Sequence, residues 1–177
     1  MSVCIQTSPS TTEKAKAFAK EVVLTINYSD SNQFDLDKIE EDHFISKIGE
    51  EAVRARYVSL GRHVTGPDYT IYPLQEKSWD DDLIINGTGV AVKTQKRSSA
   101  RTYGLSWVFQ SSSQRTDRIL LQKEKWIIFV ECNDLDQSFD CIVYPPHQVK
   151  ELVFCDPKLP HLKGRKKVVY AKDLIRC

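Results

Sequence analysis

The chain has 177 residues, 41% hydrophobic and 28% charged, with a formal net charge of +1. These values fit one globular domain with a sizeable core and exclude a chain that is basic throughout, so any contact with nucleic acid must come from local patches. No apolar run nears the roughly 18 residues of a membrane span, "MSVCIQTSPSTTEKAK" lacks a secretory pattern, and five cysteines without a CxxC argue against zinc, so a cytoplasmic protein with reduced thiols and no membrane partner is expected.

The order of elements begins with helices. Ser10 and Glu13 have capping-box spacing. Behind them Ala15, Phe18, Ala19, Val22, Val23 and Ile26 recur at helical intervals. "NYSDSNQ" breaks that helix. A second helical pattern runs from about Leu36 to Leu60, open to division near Gly49, and Gly61 is a C-terminal stop.

Strands follow. "YTIYP" (69–73) reads as a short strand or extended edge, and "DLII" (82–85) leads into "NGTG", an Asn-Gly hairpin signal. "VAVKT" (90–94) leaves that turn. A helix and a serine-rich loop, "QSSSQR", are expected between Arg101 and Gln122. The continuous apolar run "WIIFVEC" (126–132) predicts a central strand covered on both faces. "FDCIVY" (139–144) is a strand ended by Pro145 and Pro146, and "VVYAKDL" (168–174) a last short strand. Trp107 and Trp126 are expected in the core, and His43, His63, His147 and His161 in packing or surface roles. The pattern predicts an α/β fold of one domain over residues 1–177, with a helical part at about 10–61 and a sheet part at about 64–177.

The chemistry gathers on the hairpin. Its antiparallel strands bring Asp82, at the start of one, near Lys93, late on the other. A carboxylate can hold a hard cation, and a nearby lysine can orient or deprotonate a water, or neutralise charge on a phosphate. Charge is segregated as well: residues 34–44 are acidic, whereas "KTQKRSSAR" and "KGRKK" carry no acid. Such patches can grip phosphates in a near-neutral protein.

This stretch resembles the PD-(D/E)xK nuclease superfamily, and within it the type II restriction endonucleases. The pattern is an acid at a strand start, a spacer, then acid–any–lysine on the next strand. It corresponds here to Asp82 and then Ala91-Val92-Lys93, with an added glutamate from the preceding helix, Glu50 in preference to Glu51. Asp68, in a literal Pro67-Asp68, is the alternative first acid, and Asp80 and Asp81 read as loop residues. The likeness covers Ile48 to Cys132, about half of the chain.

The resemblance implies a restriction-endonuclease-like core, a central mixed sheet flanked by helices, in a Mg2+-dependent enzyme cutting double-stranded DNA as a homodimer. Asp82, Glu50 and the Val92 carbonyl would hold the metal, Lys93 would activate the attacking water, and Gln95 would bind the water or a phosphate. Lys96, Arg97, Arg101, Lys163, Arg165 and Lys166 are candidates for phosphate contact, and Gln114 and Arg115, with Arg97 and Arg101, for base reading. Ala91 departs from the pattern, because its methyl group cannot bind metal. That leaves Glu50 to compensate and keeps two other readings open: a structure-selective repair or recombination nuclease, and a catalytically disabled DNA-binding protein.

Overall fold

The computed structural model describes residues 1–25, 35–72 and 81–174. Ile26, the break at 27–33, Pro73, Asp80 and Cys177 lie outside those residues. The described elements are β1 (Val3–Ile5), α1 (Pro9–Val22), α2 (Leu36–Ser59), β2 (Val64–Thr65), β3 (Leu83–Ile85), β4 (Thr88–Lys96), α3 (Arg97–Tyr103), β5 (Ser106–Gln110), β6 (Trp126–Cys132), β7 (Cys141–Gln148), β8 (Lys166–Tyr170) and α4 (Ala171–Leu174). The fold is mixed α/β. Six strands form one sheet in the order β1-β7-β6-β4-β3-β2, and β5 pairs with β8 apart from it. β4 and β6 are parallel, whereas β2–β3, β3–β4, β6–β7 and β7–β1 are antiparallel.

Helix α1 is capped two residues before the expected position. Ser8 is the N-cap, its Oγ accepting the Thr11 N–H at 3.2 Å. Pro9 takes the first helical position, where its fixed φ and missing N–H cost nothing. Ser10 and Glu13 are therefore inside the helix. α2 is one helix through Gly49, ended at Gly61 (φ 72°) by Gly61 N–H to Val58 O and Arg62 N–H to Tyr57 O, a Schellman closure.

Beyond Gly61 the expected strand at residues 69–72 does not form. The Asp68 carboxylate instead takes the Thr70 N–H at 2.9 Å and the Tyr72 hydroxyl at 2.7 Å, a local turn that competes with a ladder. The short strand next to β3 is Val64–Thr65.

The β3–β4 hairpin has the expected turn. Asn86 (φ 48°) and Gly87 (φ 81°) are both left-handed, as a two-residue type I′ turn requires, and the register is Leu83↔Val90. β6 is central, with Ile127, Ile128, Phe129 and Val130 all at 0% exposure. Ile128 and Val130 face the side that packs on α1 and α2, through Ala15, Ala19, Ile45, Ile48 and Val53. Ile127 and Phe129 face the other side, where Trp107, Phe109 and Val169 cover them. The molecule thus has three layers, with helices α1 and α2, the six-stranded sheet, and the β5–β8 ribbon in turn.

Three further expectations change. Residues 101–122 contain strand β5 as well as a helix, and that helix, α3, starts at Arg97. β7 continues through Pro145 and Pro146 to Gln148. Since β1 pairs only with Cys141–Val143, the outer side of β7 carries no described strand at the prolines, and a residue without an N–H is tolerated on such an edge. The C-terminal strand is Lys166–Tyr170, after which the chain turns into α4. Among the described residues no helix is long and apolar enough to cross a membrane.

Candidate active site

Alternation along β4 decides what meets what. Val90 and Val92 point into the core shared with α2. Thr94, on the same face, lies so close to α2 that a Cβ on Gly49 would be 1.9 Å from its Oγ1. Gly49 is therefore the point of closest approach between helix and sheet, and Glu50 follows it. Ala91, Lys93 and Gln95 alternate with these residues and belong to the opposite face, under the β5–β8 ribbon.

The hairpin register sets Asp82 one residue outside the ladder, level with Ala91. Its Oδ2 accepts the Val92 N–H at 2.7 Å. In a strand the N–H and C=O of one residue point to the same side, so the Val92 carbonyl is aimed at the edge where Asp82 sits. Glu50 approaches that edge from α2 and is only 5% exposed. Burial, then the Asp82 carboxylate, pushes the Glu50 carboxyl up to about 8, against the pull of Lys47. Burial also pushes Asp82 up, while the Val92 N–H, Lys93 and Lys47 pull it back. Lys47, one helical turn before Glu50, has its Nζ 2.5 Å from Glu50 Oε2.

The structure distinguishes the candidate acids. Glu51 points elsewhere, accepting the Tyr69 hydroxyl at 3.0 Å and pairing with Lys14 and Arg54. Asp68 is engaged in its own turn. Asp81 pairs with Lys125 beside Gly89. The Asp82 carboxyl feels Lys93 and bears on Glu50, to which Glu51 adds a smaller push.

Lys93 lies on the neighbouring stretch of β4. Its Nζ is 3.0 Å from Asp117 Oδ2 and 5.0 Å from the centre of the Phe109 ring. Ala91 packs against the Trp107–Phe109–Phe129 layer. Gln95 shares the face of Lys93, as expected, but its amide is engaged by backbone. Oε1 accepts the Ser106 N–H at 2.7 Å, and Nε2 donates to Gly104 O at 3.4 Å. Gln95 thus fastens the start of β5 to β4.

A cleft of about 1530 Å³ opens between this edge and the ribbon, lined by Asp82, Lys93, Gln95, Lys96, Gln110, Gln114, Lys158, Arg165 and Lys166, among others. Burial, then Arg115 and Lys93, holds Lys166 below the usual lysine range, with Asp117 opposing. Cationic groups therefore crowd around one carboxylate on the ribbon side. Lys96 is paired with Glu41, and Arg97 with Glu131 at 2.7 Å. Among the described residues Arg97, Arg101, Arg115 and Lys163 do not line the cleft. Sequence reasoning missed Lys47, Lys158, Gln110 and Asp117. Lys47 carried a signal, because i,i+3 spacing from Glu50 brings two side chains together on a helix.

The donors at the edge suit a hard divalent cation. Two buried carboxylates, one of which raises the proton affinity of the other, gain from a cation held by both, and Mg2+ ordinarily takes one or two carboxylates and retains waters. Among the described residues there is no group of three or more His, Cys, Asp or Glu side chains fit to hold a metal. Any such site rests on Glu50, Asp82 and the Val92 carbonyl. Comparisons with protein-family models, with curated proteins and with solved structures found no match to this chain.

Proposed function

We propose that this chain is a Mg2+-dependent endonuclease of double-stranded DNA, akin to type II restriction enzymes and built on their kind of core. The observation that carries the reading is the convergence at one edge of β4 of Asp82, Glu50 from the preceding helix and Lys93 from the neighbouring stretch, beside a cation-lined cleft. Glu50, Asp82 and the Val92 carbonyl would hold Mg2+, whose chemistry when bound would be charge stabilisation at the phosphate and acidification of a water. Asp82 is oriented for that task by the Val92 N–H. Lys93 presents its ammonium to the cleft, where it can orient the water or neutralise charge developing on the phosphate. Lys96, Arg165 and Lys166 give affinity along the backbone without sequence information. A palindromic target would be met by two copies of the chain related by a twofold axis.

Lys93→Ala and Glu50→Ala test this reading. Each is expected to lower metal-dependent cleavage by at least about 100-fold, the usual contribution of a positioned acid or base. Full activity in Lys93→Ala would remove the assignment. A second reading, DNA binding without cleavage, draws on Ala91, whose methyl packs in the apolar layer where the pattern has an acid. It is distinguished by tight DNA binding with no cleavage under any divalent metal.

A further inference from the structure

Asp117 has no place in the motif, yet it is the partner of the motif's lysine. Its Oδ2 accepts from Lys93 Nζ at 3.0 Å and from the Gln110 N–H at 3.2 Å. Its own N–H donates to Gln110 O at 3.0 Å. These bonds to Gln110 close the loop after β5 and leave the carboxylate little freedom. The side chains of Lys93 and Asp117 are 32% and 20% exposed, so the pair stands at the cleft, partly shielded from water. Two residues before Lys93, on the same face, Ala91 offers nothing that could hold an ammonium.

We propose that Asp117 is the positioning residue for Lys93. From the loop after β5 it supplies the carboxylate neighbour that position 91 lacks, and it fixes where the ammonium stands relative to a phosphate in the cleft. The inference rests on the nuclease reading above. Lysine carries its charge on a flexible four-carbon stem, so a fixed partner is what gives it a defined place. The loop that ends at Asp117 also carries Gln114, which lines the cleft, so the wall that meets DNA and the anchor of the lysine are one short segment.

The test compares the wild type with Asp117→Asn and Asp117→Glu in single-turnover cleavage of duplex DNA, with DNA affinity measured separately in EDTA. Asparagine keeps an oxygen for the Gln110 N–H, so the loop retains its closure and the fold is preserved. Asp117→Asn is expected to cleave about 100-fold more slowly, the order of loss that a misplacement of about 1 Å produces. It should bind DNA as tightly as the wild type or more so, because it removes a negative charge from a cationic wall. Asp117→Glu should recover part of the rate. A merely structural role would lower affinity and rate together. Wild-type rates in Asp117→Asn, or a loss that only follows its affinity or thermal stability, would overturn the inference and leave the nuclease reading standing. DNA left intact by the wild type would overturn that reading, and this inference with it.

Discussion

At the scale of single residues, two buried groups carry measurable consequences. Among the described residues Thr94 Oγ1 is buried without a hydrogen-bond partner. A hydroxyl left so costs about 1–3 kcal/mol. Thr94→Val keeps the shape and removes the hydroxyl, so chemical denaturation should find the variant at least as stable as the wild type, by up to about 1 kcal/mol. Clear destabilisation would mean that the hydroxyl has a partner. Glu50 works through pH. Its carboxyl rises from the ordinary 4.5 to about 8 in the fold. Between those values the folded state binds more protons than the unfolded, so stability falls as pH rises through that window. The contribution is on the order of a few kcal/mol. Glu50→Gln should flatten the decline in a series of melts from pH 5 to 8.5, and an unchanged slope would refute its origin in Glu50. Sequence made Asp82, Glu50 and Lys93 legible, because a two-residue turn and one helix fix their neighbourhood. Asp117 gave no such signal. It lies 24 residues from Lys93 and reaches it through the fold of a loop.

Among the elements, the contact of α2 with β4 does most to position the site. The missing side chain at Gly49 lets Thr94 touch the helix, which brings Glu50 to the sheet edge. Gly49→Ala should therefore destabilise the protein by about 1–3 kcal/mol, the usual cost of overpacking a filled core. Combining it with Thr94→Ala should recover most of that loss in thermal melts, and failure to do so would mean that the clash lies elsewhere. β6 was legible because both of its faces are apolar, and the β3–β4 hairpin because Asn86-Gly87 demands one turn type. β1, β5 and the far half of β7 were not. β5 is a short strand whose pairing with β8 spans about 60 residues of chain, and β7 tolerates its prolines only because β1 stops short of them. Such pairings depend on distant partners, which local pattern cannot reveal.

For the molecule as a whole, the six-stranded sheet separates two tasks. Its helix-covered face delivers Glu50, and its ribbon-covered face delivers Lys93 and the cationic wall, with Asp82 at the edge between them. The near-neutral net charge hides this arrangement, in which Lys93, Lys96, Lys158, Arg165 and Lys166 gather on one cleft with Asp82 at its edge. The α/β class followed from the order of helices and strands. The three-layer build did not, because it depends on β5 and β8 pairing outside the main sheet. The edge carrying Asp82, Glu50 and Lys93 is proposed to cut DNA. The most direct measurement is to incubate the wild-type protein with long duplex DNA in Mg2+ and, in parallel, in EDTA. Cleavage into discrete fragments with Mg2+ alone is the expected result, and intact DNA under both conditions would contradict the claim.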